Sequence, residues 1–175
     1  MILQQNFFRK GFLTAVLVFL CFGLTYAQSS GQATQTKEAS KTTRIKNWVD
    51  SQNYVFKARS AQPMSGNTRQ LTSEYDLTVT KTVIDCYLPY FGRAYAAPID
   101  PSQGGIKFSS KDFTYQATPK KKGGWDVLIK PKDARDVQQM SLSISENGYA
   151  SLQVTSTNRQ PISFSGVIAP VKVKK

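Results

Sequence analysis

From residue 54 onward the chain keeps returning to one pattern, in which apolar positions alternate with polar ones. Leu77 and Val79 alternate with Thr78 and Thr80, Trp125, Val127 and Ile129 share one side of another stretch, and Met140, Leu142 and Ile144 share a third. A period of two sends successive side chains to opposite faces, so each stretch reads as a strand with one buried face. The pattern predicts strands over residues 54–60, 71–80, 82–88, 105–110, 112–118, 125–130, 138–145, 149–156 and 161–169. Turn residues punctuate them, among them Ser65, Gly66 and Asn67, then Lys120 to Gly124, then Glu146, Asn147 and Gly148. The Asn-Gly pair predicts a hairpin with a type I′ turn.

Ahead of the strands the period changes. Ile45, Trp48 and Val49 are spaced i, i+3, i+4, with Lys41, Arg44 and Lys46 around the other faces, which predicts a short helix over residues 38–52. Its one narrow stripe suits a helix that Trp48 pins across an open end or edge of the sheet. Nine strands with one apolar face each, mostly joined by short connections, make an all-β antiparallel meander. Left flat, that sheet exposes an apolar face and two edges. Curling it into an up-and-down β-barrel buries both, whereas a two-layer sandwich buries only the face.

One stretch departs from the alternation. After residue 88 the chain reads Tyr90, Phe91, Gly92, Arg93, Ala94, Tyr95, Ala96, Ala97, Pro98, and it closes with Asp100, Pro101 and Ser102. Gly and Pro cannot continue a ladder, so this is a long ordered loop. Tyr87, Tyr90, Phe91, Arg93 and Tyr95 are the candidate ligand-binding residues, aromatic rings able to stack on a ligand at the barrel mouth with Arg93 as the charged handle. The bland reading of the same rings is that they plug the barrel end as core.

The first residues belong to a different class of segment. Arg9 and Lys10, the apolar run from Gly11 to Leu24, and Thr25, Tyr26 and Ala27 have the layout of a secretory signal peptide over residues 1–27, cleaved before Gln28. The apolar run falls short of the roughly 18 residues that span a bilayer, so no transmembrane segment is expected after cleavage. Cys21 follows Leu20, where bacterial lipid attachment needs a small side chain. Residues 28–40 are small, polar and aperiodic and read as a disordered spacer, leaving residues 41–175 as one barrel domain preceded by the short helix. The expected location is the periplasm or cell envelope, or outside the cell.

Charge and composition then narrow the chemistry. The chain has 23 Lys and Arg against 11 Asp and Glu, a formal net charge of +12. The lysines gather in turns and in the tail at Lys172, Lys174 and Lys175, without interleaved aromatics, which favours an anionic envelope component over nucleic acid as partner. There is no histidine. That removes the usual general base and the commonest transition-metal ligand, and Cys86 alone among the cysteines survives signal cleavage, so neither metal site nor disulfide is expected. Glu74 and Asp76, at i, i+2 on a strand, are the one pair suited to carboxylate-only hydrolysis. Asp133 and Asp136 bracket a turn without the spacing of a calcium loop.

Four stretches carry a family resemblance: SQNYVFKARSAQPMSGNTRQLTSEYDLTVT, YLPYFGRAYAAPIDPSQGGIKFSSKDFTY, KKGGWDVLIKPKD and ISENGYASLQVTSTNRQPISFSGVI. The chain from about residue 45 to 169 resembles the family of domains of unknown function numbered 4251. The resemblance implies an exported protein of a Gram-negative bacterium with a lipocalin-like β-barrel, and it brings no catalytic residue and no cofactor. True lipocalins carry Gly-x-Trp at the first strand, whereas Gly123, Gly124 and Trp125 stand mid-chain. The functional expectation is non-catalytic binding of an apolar or aromatic small molecule, or of an envelope component. A structural or interaction protein without a ligand comes second, and a carboxylate-only hydrolase third.

Overall fold

The structure, a computed structural model, describes residues 30–95 and 104–171. The expected signal peptide, the turn at residues 100–102 and the terminal lysines lie outside those residues. A helix, α1 (Ser30–Ser51), precedes nine strands: β1 (Tyr54–Pro63), β2 (Arg69–Val79), β3 (Ile84–Leu88), β4 (Ile106–Ser110), β5 (Phe113–Pro119), β6 (Trp125–Pro131), β7 (Val137–Ile144), β8 (Tyr149–Ser156) and β9 (Ile162–Ala169). They form one sheet in the order β4-β3-β2-β1-β9-β8-β7-β6-β5. All its neighbours are antiparallel, and because the first strand pairs with the last, the meander curls into a nearly closed barrel.

Where the barrel stays open follows from strand direction. Three reversals lead from β1 to β4 one way round and five lead from β1 to β5 the other way, so β4 and β5 run in the same direction. Only Lys111 and Asp112 separate them. They are two halves of one bent strand that pairs with β3 before the bend and with β6 after it. The alternation predicts two strands here and cannot show that they are collinear, because reversal is not written in it. On either side of the bend a strand edge is left without a strand partner among the described residues.

The alternation itself is realised on both faces. Tyr54, Phe56, Leu77, Met140, Leu152 and Phe164 point inward and are fully buried. Outward, Ser60, Ser165, Ser151 and Ser143 stand side by side across β1, β9, β8 and β7. β1 continues to Pro63, past the expected end at residue 60, because a bulge between Ala58 and Ser60 re-phases its pairing with β2 and β9.

α1 begins at Ser30, so it takes in most of the stretch expected as a spacer. That stretch includes Gln32, Ala33, Gln35, Lys37, Glu38 and Ala39, which favour the helix although no apolar stripe announces it. At its other end Gln52 adopts a left-handed φ of 51° and the N–H groups of Gln52 and Asn53 donate to the carbonyls of Val49 and Trp48, which closes the last turn. From Ser40 onward the chain forms one compact unit with the barrel. Ile45 and Val49 are buried there, Trp48 is half-buried, and the Tyr115 hydroxyl of β5 donates to the Val49 carbonyl at 3.0 Å. The helix thus covers one side of the bent strand.

The expected hairpin between β7 and β8 is present, but its turn differs. Gly148 has a φ of 81° while Asn147 has no positive φ, and the Gly148 N–H donates to the Ser145 carbonyl. This is a type I turn closed by a left-handed glycine, and not type I′. Glycine also suits the packing there, since a Cβ at Gly148 would come within 3.3 Å of Ile45 Cδ1. Cys86 lies buried on β3, and burial, with Asp76 nearby, pushes its thiol well up. A bulky thiol reagent should therefore label the native protein only as fast as it unfolds; rapid labelling would contradict this packing.

Candidate functional site

The aromatic loop leaves β3 at the end of the barrel and lies along the connection between β8 and β9. Ala94 forms an antiparallel bridge with Arg159, the Tyr95 N–H donates to the Asn158 carbonyl at 2.8 Å, and the Gln160 N–H donates to the Arg93 carbonyl at 3.0 Å. Tyr90 turns back over the loop because Gly92 has no Cβ; one there would strike the Tyr90 ring. Its hydroxyl faces the carbonyls of Arg93 and Gln160 at 2.8 and 3.1 Å, under the Arg159 guanidinium 5.2 Å from the ring. Burial outweighs that carbonyl contact and the Arg159 charge, so the Tyr90 pKa is raised.

The five candidate residues do not form one site. Tyr90, Arg93 and Tyr95 share the β8–β9 connection, with Tyr95 70% exposed. Phe91 is half-buried against the core, its ring 4.9 Å from the Arg69 guanidinium. Tyr87 stands on the outer face of β3, its ring 5.3 Å from that of Tyr75 and 4.7 Å from Lys107 Nζ. Phe91→Ala should therefore lower stability by about 1 to 2 kcal/mol, between an exposed ring and a fully buried one, as read by denaturant unfolding.

Arg159 also lines a cleft of about 460 Å³, whose other walls are residues 105–108 of β4 and its approach, residues 133–137 of the β6–β7 connection, and Ser156. The cleft lies along β4, on the other side of the bend from the part that α1 contacts. Phe108, an inward-facing residue of β4, is only half-buried, and no strand lies beyond it among the described residues. Asp133 fastens the bend. It accepts hydrogen bonds from the Ser110 hydroxyl and from the N–H groups of Lys111 at 2.9 Å and Asp112 at 3.3 Å. These bonds, the Ser110 one foremost, lower the pKa of its carboxyl. Arg135, exposed beside it, makes no ion pair among the described residues.

Asp133→Ala should loosen the bend, and pH gives the sign. A folded-state pKa below the unfolded value of about 3.9 contributes stability above that value and loses it as pH falls through the folded one. The melting temperature of the variant should thus lie below that of the parent at neutral pH, with the gap closing in acid. A gap that is constant with pH would contradict the role assigned to the carboxylate.

Residues 36–168 match the family model described as Domain of unknown function (DUF4251). The chain belongs to the DUF4251 family. A crystal structure of a DUF4251 family protein from Bacteroides eggerthii DSM 20697 is similar to it, at 15% identity and a TM-score of 0.57, over 78% of this chain and 91% of that one. At that identity the likeness shows the shared fold. No curated protein matches the chain. No helix among the described residues is long and apolar enough to cross a membrane, and no three metal-binding side chains come together among them.

Sequence reasoning passed over Phe108, Arg135 and Arg159, because the cleft is assembled from three segments distant in sequence, one of them a strand. Glu74 and Asp76 stand on the outer side of β2, Glu74 exposed with Lys57 Nζ 3.7 Å away. Burial, only partly offset by Lys57, raises the Asp76 pKa.

Proposed function

We propose that this is an exported, non-catalytic binding protein of the cell envelope, and that it takes its ligand in the wall cleft and not in the barrel interior. The observation that carries this reading is the contrast between the two places. Inside, Phe56, Leu77, Met140, Leu152 and Phe164 occupy the barrel and are fully buried, whereas the cleft offers about 460 Å³ at a gap in the wall. Pockets of a few hundred cubic ångströms lined by apolar groups with a few placed polar ones are the usual form of a small-molecule site. Here Ile106, Phe108, Ala134 and Val137 supply apolar surface and Arg135 a cation, while the Asp133 carboxylate is already engaged at the bend. The chemistry fits a ligand with an apolar body and an anionic group. An interior closed to solvent also favours the second reading, an interaction protein without a small ligand.

The test is native mass spectrometry of the protein purified from its own cells. The expected result is a chain beginning at Gln28 that carries an added mass, with the mass lost in both Phe108→Ala and Arg135→Glu. A bare chain in parent and variants alike would overturn the small-ligand reading and leave the interaction reading.

A further inference from the structure

One wall of the cleft is backbone. β4 is a terminal strand of the sheet and pairs with β3 alone among the described residues. Two clamps mark out its free side. Before it, Arg159 Nη1 donates to the carbonyls of Gly104 at 3.3 Å and Gly105 at 3.0 Å. After it, Asp133 holds the Ser110 hydroxyl and the N–H groups of Lys111 and Asp112. Between the clamps, residues 106–109 keep strand geometry with no second strand beside them among the described residues. Strand groups on such an edge, repeating at about 3.3 Å per residue, are a template for another strand.

We propose that the free edge of β4 takes an extended peptide, which adds to the barrel as a short extra strand. This rests on the reading that the cleft is the binding place, and it names the ligand class. Three features favour a peptide with an anionic group. The edge supplies alternating main-chain donors and acceptors, which give affinity in strand addition, while pockets for alternate side chains give selectivity. Phe108, with Ala134 and Val137 also lining the cleft, provides one such apolar pocket. Arg135 supplies positive charge, and a guanidinium can hold a carboxylate through two hydrogen bonds, so an acidic side chain or a C-terminal carboxylate is selected. The free stretch, residues 106–109, matches a peptide segment of similar length and not a whole added sheet.

The test pans the full chain against a phage library of random peptides with free C-termini, then measures synthetic versions of the enriched sequences. The expected sequences alternate apolar residues and end in, or contain, a carboxylate. Arg135→Glu should weaken them by roughly tenfold or more, the loss typical of a charge-assisted hydrogen bond. N-methylation of every second peptide amide should abolish binding, whereas methylation of the intervening amides should leave it nearly unchanged, because only one set faces β4. Methylation without that alternation, absence of any enriched sequence, or a chain that closes the edge by dimerising through β4 overturns the proposal. Titration with anilinonaphthalene sulfonate separates this failure from that of the wider reading. If peptides fail but the dye binds the parent and not Arg135→Glu, the cleft still binds anionic apolar ligands and the peptide inference falls. If neither binds, both fall.

Discussion

Replacing Phe164 by alanine should cost the fold about 3 to 5 kcal/mol, the range for emptying a buried aromatic site. The ring is fully buried on β9, where it stands beside Ala61 of β1 and Leu152 of β8. Ala61 is too small to fill the space, and the barrel wall around it is fixed by hydrogen-bonded pairing on both sides, so the cavity would persist. Equilibrium unfolding in urea reads the loss directly. A cost under about 1 kcal/mol would mean that the site collapses or was never tightly filled, contrary to the density expected of a core. It would also weaken the case for placing the ligand in the wall, because that case depends on a full interior.

Gly166→Val should have an effect of similar size by the opposite mechanism. Gly166 lies opposite Ala58 of β1, beside the bulge, and opposite Ala150 of β8. A Cβ there would fall on the Lys57 carbonyl oxygen, 2.9 Å from the carbonyl carbon and 3.1 Å from Ala58 Cα. These are backbone atoms held in the sheet and cannot step aside like the tip of a side chain. The expected loss is about 3 kcal/mol, the upper end for overpacking. Gly66 offers the control: its φ is 114° but the nearest obstacle, Pro63 Cγ, is 3.9 Å away. Gly66→Ala should cost only the conformational strain of a left-handed position, about 1 kcal/mol. Equal losses at the two glycines would show that space at the bulge is not what requires Gly166.

The contrast between those glycines also shows what the chain discloses before folding. Strands β6 to β9 are legible because Val127, Met140, Leu152 and Phe164 recur at the period of a pleated sheet, and that period follows from local geometry. The bend at Lys111 and Asp112 is not legible, since two collinear strands and two reversing ones carry the same alternation. The Asn-Gly pair predicts type I′ but suits either turn form, and the turn at Gly148 is type I. The same limit applies to the site. Tyr90 and Phe91 are conspicuous as aromatic residues in an irregular loop, whereas Phe108 looks like any inward residue of a strand. It becomes part of a cleft only through the missing neighbour on its far side.

The direct test of the wall cleft as the binding place is a map of amide NMR shifts in isotope-labelled protein on addition of an extract of its own cell envelope. The account predicts shifts gathered at residues 105–108, 133–137 and 156–159, with the amides beside Phe56, Leu77 and Phe164 unmoved. Shifts centred on those interior positions, with the three cleft segments silent, would contradict it.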